Sequence, residues 1–406
     1  MGDMDIETFR SLLPSFSRLN SLNLSGYGEP FLNPHLVSMI QMARERLPDQ
    51  ARITLTSNGT FIDETIARKV IKAGLDGIAL SMDSLEADQF PAIRGGASLK
   101  TVTECVKTFM NLKEKFKKES FHVGISFVAM KRNIRELPWL IQFAADNQVN
   151  AIWVNNVLPH TEPTAKETLY DSHSQAVLEI LTAAVERLNE LGVNPSTFRV
   201  LAARLSIKRF RGNISSLSPE EDLALQCVQA LSSEGVSMGG ILTSLLQVLE
   251  RDGTEFKEYL KIFQESQDLA ASRNLELHLP LIIPRTNREC NFIKNETCFI
   301  TWDGWVRPCN QLAHDYACFH YGRLKRVKRV SFGKVPEQDL ETIWNYRPYR
   351  VFRENVEKFS FSPCGDCGLS DGCGYISADA EFFSDCNMYE QPCGDCLWSR
   401  GILNCP

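Results

Sequence analysis

Short apolar runs alternate with amphipathic stretches of helical period over roughly the first 160 residues, the signature of repeated strand–helix units. The runs Leu22–Ser25, Ile53–Thr56, Gly77–Met82, Val123–Val128 and Ala151–Asn155 read as strands buried under helices. Between them, Leu36, Ile40, Ala43 and Leu47 share one helical face. Ile66, Val70 and Ala73 share another, and Gly74 is placed to end that helix because glycine tolerates the left-handed cap. A third helix is expected from Leu99 to Phe116. Its stripe of Val102, Cys105, Phe109, Leu112 and Phe116 assigns Cys105 to the core rather than to chemistry.

From about Ala165 to Asn274 the pattern turns helical, with Val177, Leu181, Val185 and Leu188 on one face and Gly192 closing the element. Ser218-Pro219-Glu220-Glu221 combines an N-cap serine, a proline at the first helical position and a capping-box glutamate. Leu223, Cys227 and Leu231 then line up, so Cys227 reads as packing. Beyond Pro284 helical periodicity gives way to Cys, Gly, Asp and aromatics, apart from a short helix expected at Leu340–Tyr346. Asp303-Gly304 predicts a two-residue type I′ hairpin that brings Cys298 and Cys309 close, with Phe299, Trp302 and Trp305 as a small core. The expected division is a β/α unit over residues 1–162, a helical insertion or linker over 163–284 and a small Cys-rich domain over 285–406, in the α/β class.

Composition narrows the function. The 406 residues are 43% hydrophobic and 23% charged, as in ordinary globular chains. No run of about 18 apolar residues occurs, which excludes a membrane-spanning helix. The acidic start, with Asp3, Asp5 and Glu7, lacks a signal-peptide pattern, so a cytoplasmic protein with no membrane partner is expected. A net charge of −6 argues against a general nucleic-acid binder.

Thirteen cysteines are the anomaly, and only Cys105 and Cys227 precede Cys290. In a reducing compartment such a concentration points to metal ligation before disulfides. Cys290, Cys298 and Cys309 form one group, Cys364, Cys367 and Cys373 a second, and Cys386, Cys393, Cys396 and Cys405 follow. The tetrapeptide C-G-D-C stands after proline twice, at 364–367 and at 393–396. Two thiolates so spaced bite one metal centre, either an iron–sulfur cluster or a structural zinc. Arg323, Lys325, Arg326, Lys328 and Arg329 form a basic run read as a solvated face, with an acidic partner or a phosphate-bearing cofactor as the alternative. His314 and His320 bracket Cys318 but make weak metal ligands.

These cysteines resemble the SPASM extension of radical S-adenosylmethionine (SAM) enzymes. Cys290, thirteen residues, Gly304, four residues and Cys309 match its first element, and C-x2-C-x5-C at Cys364, Cys367 and Cys373 matches its second. The family's further C-x3-C is absent, and Cys386 is placed to supply that ligand. The first half is similar to the same family: Gly26-Tyr27-Gly28-Glu29-Pro30, Ser57-Asn58-Gly59 and Ser81-Met82-Asp83 each follow a strand.

The resemblance implies a partial (β/α) TIM-like barrel missing its first strand. It implies SAM bound by Gly28, Glu29, Asn58, Ser81, Asp83, Arg94 and Val157, and two auxiliary 4Fe-4S clusters. Their ligands would come from Cys290, Cys298, Cys309, Cys386, Cys364, Cys367, Cys373, Cys393 and Cys396. It implies hydrogen abstraction from a peptide, protein or protein-bound cofactor substrate, with an electron donor such as ferredoxin or flavodoxin. The closing run from Pro392 to Pro406 looks like a subgroup that matures tungsten-cofactor oxidoreductases. Sulfatase-activating relatives have an aspartate where this chain has Asn310, which cannot act as their base.

One element of the family pattern is missing. The C-x3-C-x2-C loop that holds the SAM-cleaving cluster should precede Gly26, yet no cysteine occurs before Cys105. The expectation is a chain begun at an internal methionine, the alternative a degenerate homologue serving as a non-catalytic iron–sulfur or zinc protein. No catalytic residue is assigned. A nicotinamide-binding doubly wound fold fails for want of G-x-G-x-x-G after the first strand.

Overall fold

The computed structural model describes residues 2–170, 253–285, 287–320, 323–362, 364 and 384–404, with scattered positions in 178–190 and 217–226. Cys227, Cys367, Cys373, Cys405 and most of the helix expected around Val177–Leu188 lie outside the described residues, as does the side chain of His320. Ser218 and Glu221 do form the reciprocal cap: the Glu221 amide donates to Ser218 Oγ (3.2 Å) and the Ser218 amide to Glu221 Oε2 (2.9 Å).

Six parallel strands lie side by side in chain order: β1 (Ser21–Asn23), β2 (Arg52–Ser57), β3 (Gly77–Ser81), β4 (His122–Ala129), β5 (Ala151–Asn156) and β6 (Glu276–His278). Every neighbouring pair is parallel. Sequential parallel order needs a crossover helix after each strand, and a right-handed succession of them curls the sheet into a barrel segment. The crossovers are α2 (Leu36–Arg44), α3 (Glu64–Ala73), α5 (Leu99–Lys115) and α6 (Leu137–Asp146), with α1 (Ile6–Leu12) ahead of β1 and the short α4 (Gln89–Ile93) between β3 and α5. The fold is therefore α/β, with a partial barrel and a separate small C-terminal domain.

Side-chain size sets the strand spacing at one place. A Cβ at Gly124 would meet the Trp153 ring at 2.0 Å, so glycine in β4 is what lets Trp153 of β5 lie across it and stack on His278 of β6, ring centroids 5.6 Å apart. Helix α3 begins at Asp63, whose carboxylate accepts from the Ile66 amide, and ends at Gly74 with φ 109°, the cap expected from sequence.

The region expected as an insertion supplies part of the barrel. After the short α7 (Glu162–Ala165), helix α8 (Gly253–Ser272) packs along α6 and leads into β6, which pairs with β5. A boundary at 162 thus cuts through the sheet. Short, three-residue β6 carries too little apolar alternation to be read as a strand on its own.

The C-terminal domain has small antiparallel pieces: β7 (Phe299–Ile300), β8 (Trp305–Arg307) and β11 (Gly333–Lys334) in one sheet, β9 (Tyr316–His320) and β10 (Arg323–Val327) in another. Helix α9 (Asn291–Lys294) precedes them, and α10 (Leu340–Asn345) and α11 (Arg347–Glu357) follow. The hairpin at Asp303-Gly304 is not the two-residue form. The Thr301 amide donates to the Trp305 carbonyl, leaving three loop residues with Gly304 at φ 86°. A Cβ there would sit 2.1 Å from the Val335 carbonyl oxygen, so close approach as well as φ demands glycine. Trp302 is 42% exposed and belongs to no core.

Candidate functional site

Parallel strands end on one edge, and the loops that leave β1, β2 and β3 lie along it. Glu29 ties the first two together: its Oε1 accepts from Ser57 Oγ (2.7 Å) and the Phe31 amide (3.2 Å), its Oε2 from the Asn58 amide (2.7 Å). Its carboxylate is thus spent on shaping the turns. Gly28 has φ 128° with no atom within 4 Å of a would-be Cβ, so the backbone faces open space before the strand ends. Such an edge can take a ligand's ammonium on carbonyl oxygens.

At the end of β3, Ser81 and Asp83 are buried and Asp83 Oδ1 accepts from the Val128 amide (2.7 Å). Arg94 Nε lies 2.5 Å from Asp83 Oδ2. Burial raises the Asp83 carboxyl above the usual carboxylate value, and the Arg94 charge pulls it back. Two residues here escaped the sequence reading. Asn133, wholly buried, donates to the Asp83 carbonyl (2.8 Å) and the Val128 carbonyl (2.9 Å). Glu136 accepts from Ser84 Oγ, the Leu85 amide (2.7 Å) and Gln89. The signal available was an asparagine and a glutamate spaced three apart just past an apolar strand, where buried polar groups tie loops.

Val157 is buried just past β5. Asn156 beside it donates to the Leu281 carbonyl (2.9 Å) and the Ile402 carbonyl (2.8 Å). Asn404 donates to the Val154 carbonyl (2.9 Å), so the C-terminal segment is bound to the end of β5.

The cysteines gather next to this edge. One cavity, of ≈ 70 Å³, is lined by Cys290, Cys309, Cys318, Cys393 and Cys396. That is several times the space of a single water. Burial pushes the thiols of Cys290 and Cys318 up to about 11 and raises those of Cys393 and Cys396, so without a bound cation they stay protonated. Among the described residues no three Cys, His, Asp or Glu side chains are grouped to hold a single metal ion. Five cysteines lining one cavity are the donor type that an iron–sulfur cluster takes.

The other candidate ligands fall around it. Cys298 sits by Arg353 and Tyr349 and, like Cys290, has its thiol pushed up to about 11 by burial. Cys364 is buried with its Sγ 3.6 Å from the Cβ position of Gly394, in the second C-G-D-C segment. Only glycine fits at 394, because a Cβ would lie 2.1 Å from the Ser362 carbonyl oxygen. Cys386 is exposed and does not line the cavity.

The basic run is not one solvated face. Lys325 is buried and ion-paired to Asp395, between Cys393 and Cys396, while Arg329 lies near Asp315. The cavity and the strand-end loops are joined directly. Tyr27 Oη donates to the Asn310 carbonyl (3.3 Å) and its ring meets His314 edge-on at 4.9 Å. The Phe319 amide donates to the Pro159 carbonyl (2.7 Å).

Two stretches of the chain match known family models. Residues 15–136 match the radical SAM superfamily, and residues 290–368 match the SPASM iron–sulfur cluster-binding domain. A tungsten-containing aldehyde ferredoxin oxidoreductase cofactor-modifying protein of Pyrococcus furiosus is 24% identical over 100% of this chain and 89% of its own. An Fe-coproporphyrin III synthase of Methanosarcina barkeri is 22% identical over 47% of this chain and 46% of its own. Among solved structures, Streptococcus suis SuiB bound to S-adenosylmethionine is 14% identical with a TM-score of 0.44, over 96% of this chain and 70% of that one.

Proposed function

Because the chain joins a radical SAM domain to a SPASM domain and so belongs with proteins whose cofactors are SAM and 4Fe-4S clusters, we propose that it modifies a protein-bound cofactor by hydrogen abstraction. The tungsten cofactor of an aldehyde oxidoreductase is the substrate this reading favours, with a peptide or protein as the broader class. It rests on the direct junction of the two sites: Tyr27, inside the strand-end loop, reaches the segment that carries Cys309. The alignment with the Pyrococcus furiosus cofactor-modifying protein along the whole chain supports the substrate class.

When bound, SAM supplies radical chemistry able to break C–H bonds. This chain's residues do the holding. Glu29 locks the Gly26–Gly28 backbone against Asn58, and Arg94 and Asp83 set the polar wall after β3. Val157 offers an apolar contact at β5, and the thiolates retain clusters that relay electrons or anchor substrate. Ferredoxin or flavodoxin is the donor, in the cytoplasm.

The alternative is a non-catalytic iron–sulfur scaffold. The test is the protein produced from its own gene, incubated anaerobically with SAM, reductant and an immature tungsten oxidoreductase. The expected result is 5′-deoxyadenosine formation that rises with the oxidoreductase present. A fully iron-loaded protein that consumes no SAM would transfer the assignment to the scaffold reading.

A further inference from the structure

Cys318 belongs to none of the cysteine groups that the family pattern uses, yet the fold delivers it to the same cavity as Cys290, Cys309, Cys393 and Cys396. Three independent features put it there. The first is strand alternation: in β9, Tyr316 and Cys318 share one face, and both line the cavity. The second is register. Cys318 stands opposite Lys325 and Tyr316 opposite Val327 in the antiparallel pair with β10, so these four side chains form one inward face. Leu324, on the other face of β10, is 38% exposed.

The third is a charge latch. Lys325 reaches from that inward face to Asp395, and the pair is almost wholly buried, with side-chain exposures of 7% and 2%. Asp395 is flanked by Cys393 and, next in the chain, Cys396. A buried ion pair tolerates little displacement of either partner, since separating them leaves a charge without compensation. The latch therefore fixes the hairpin bearing Cys318 against the second C-G-D-C segment.

We propose that Cys318 is a ligand of the iron–sulfur cluster held in this cavity. It binds as thiolate and releases its proton to solvent, as cysteine ligands do. The inference rests on the reading that this domain holds clusters, and the experiment separates the two.

The full chain is reconstituted anaerobically as wild type, Cys318→Ser and Cys318→Gly, and iron, low-temperature EPR and reduction potential are measured. Wild type should bind about eight irons. Cys318→Ser, nearly isosteric, should keep its fold by circular dichroism while shifting the EPR g-values and the potential of one cluster and leaving the other unchanged. Cys318→Gly should lose up to half the iron, and added ethanethiol, a free thiolate able to enter the space left by the side chain, should restore the missing signal. Wild-type spectra and potentials in Cys318→Ser would overturn the assignment, as would ethanethiol having no effect on iron-depleted Cys318→Gly. A wild type that takes up no iron would remove the cluster reading itself.

Discussion

The barrel and the C-terminal domain bury their charges differently. In the barrel, strands β2 to β5 of five to eight residues bury Ile53, Leu55, Leu80, Val123, Ile125, Phe127, Ile152 and Val154 almost completely. Its buried polar groups, such as Asp83, Asn133, Glu136 and Asn156, collect at strand ends. In the C-terminal domain, where strands have two to five residues, Lys325, Asp395, Arg307 and Arg400 are buried and five cysteines line one cavity. The first region is held by apolar area, which contributes about 25 cal/mol per Å² buried. The second shares that apolar core through Val306, Leu312, Ile343, Tyr349 and Phe352, and clusters bound by its cysteines would add a metal-dependent contribution.

The sharpest test of that difference is metal removal. Cys309→Ala should cut iron from about eight to about four per chain and unfold the C-terminal domain first, leaving barrel helicity intact. Iron assay and two-transition thermal melting would show it, and a single cooperative transition in both proteins would break the comparison. In the barrel, Phe109 is wholly buried and stacks on Phe121 with centroids 5.9 Å apart. Phe109→Ala should cost about 3–5 kcal/mol of barrel stability without changing iron content.

Lys325→Met leaves Asp395 buried without its cation and should cost a similar amount, about 3–5 kcal/mol, confined to the C-terminal transition. Adding Asp395→Leu should recover most of it, as urea midpoints of the two variants would report. A smaller effect is expected at Asp83. Its carboxyl titrates above the ordinary 3.8 because burial outweighs Arg94. Between 3.8 and that raised value the folded chain keeps a proton that the unfolded chain has released, so stability declines as pH rises through the window. Asp83→Asn should flatten that part of a pH series of denaturation midpoints. The smallest is Asp63→Ala, which removes the cap on the Ile66 amide (2.7 Å) and should cost about 1 kcal/mol, with no change in iron or SAM binding.

What the residues alone determined is what local chemistry encodes. Five of the six barrel strands were legible, β3, β4 and β5 as largely apolar runs, β2 by the alternation of Ile53 and Leu55 with threonines and β1 by Leu22 and Leu24, and Gly74 marked a helix end because few other residues adopt φ 109°. The G-Y-G-E-P, S-N-G and S-M-D segments were legible as strand-end loops for the same local reason. Tertiary structure decided the rest. Strand β6 exists because α8 packs on α6 and delivers Glu276–His278 to the edge of β5, a contact across more than a hundred residues that no window of sequence contains. Lys325 is inward and its neighbours outward because of hairpin register and the position of Asp395, seventy residues away. The same register brings Cys318 to the cavity that Cys290, Cys309, Cys393 and Cys396 share, while Cys386 stays outside it. Cysteine spacing specifies which thiols can bite one centre locally, but only the packed chain decides which distant pairs face one another, because that depends on contacts closed at a large entropic cost.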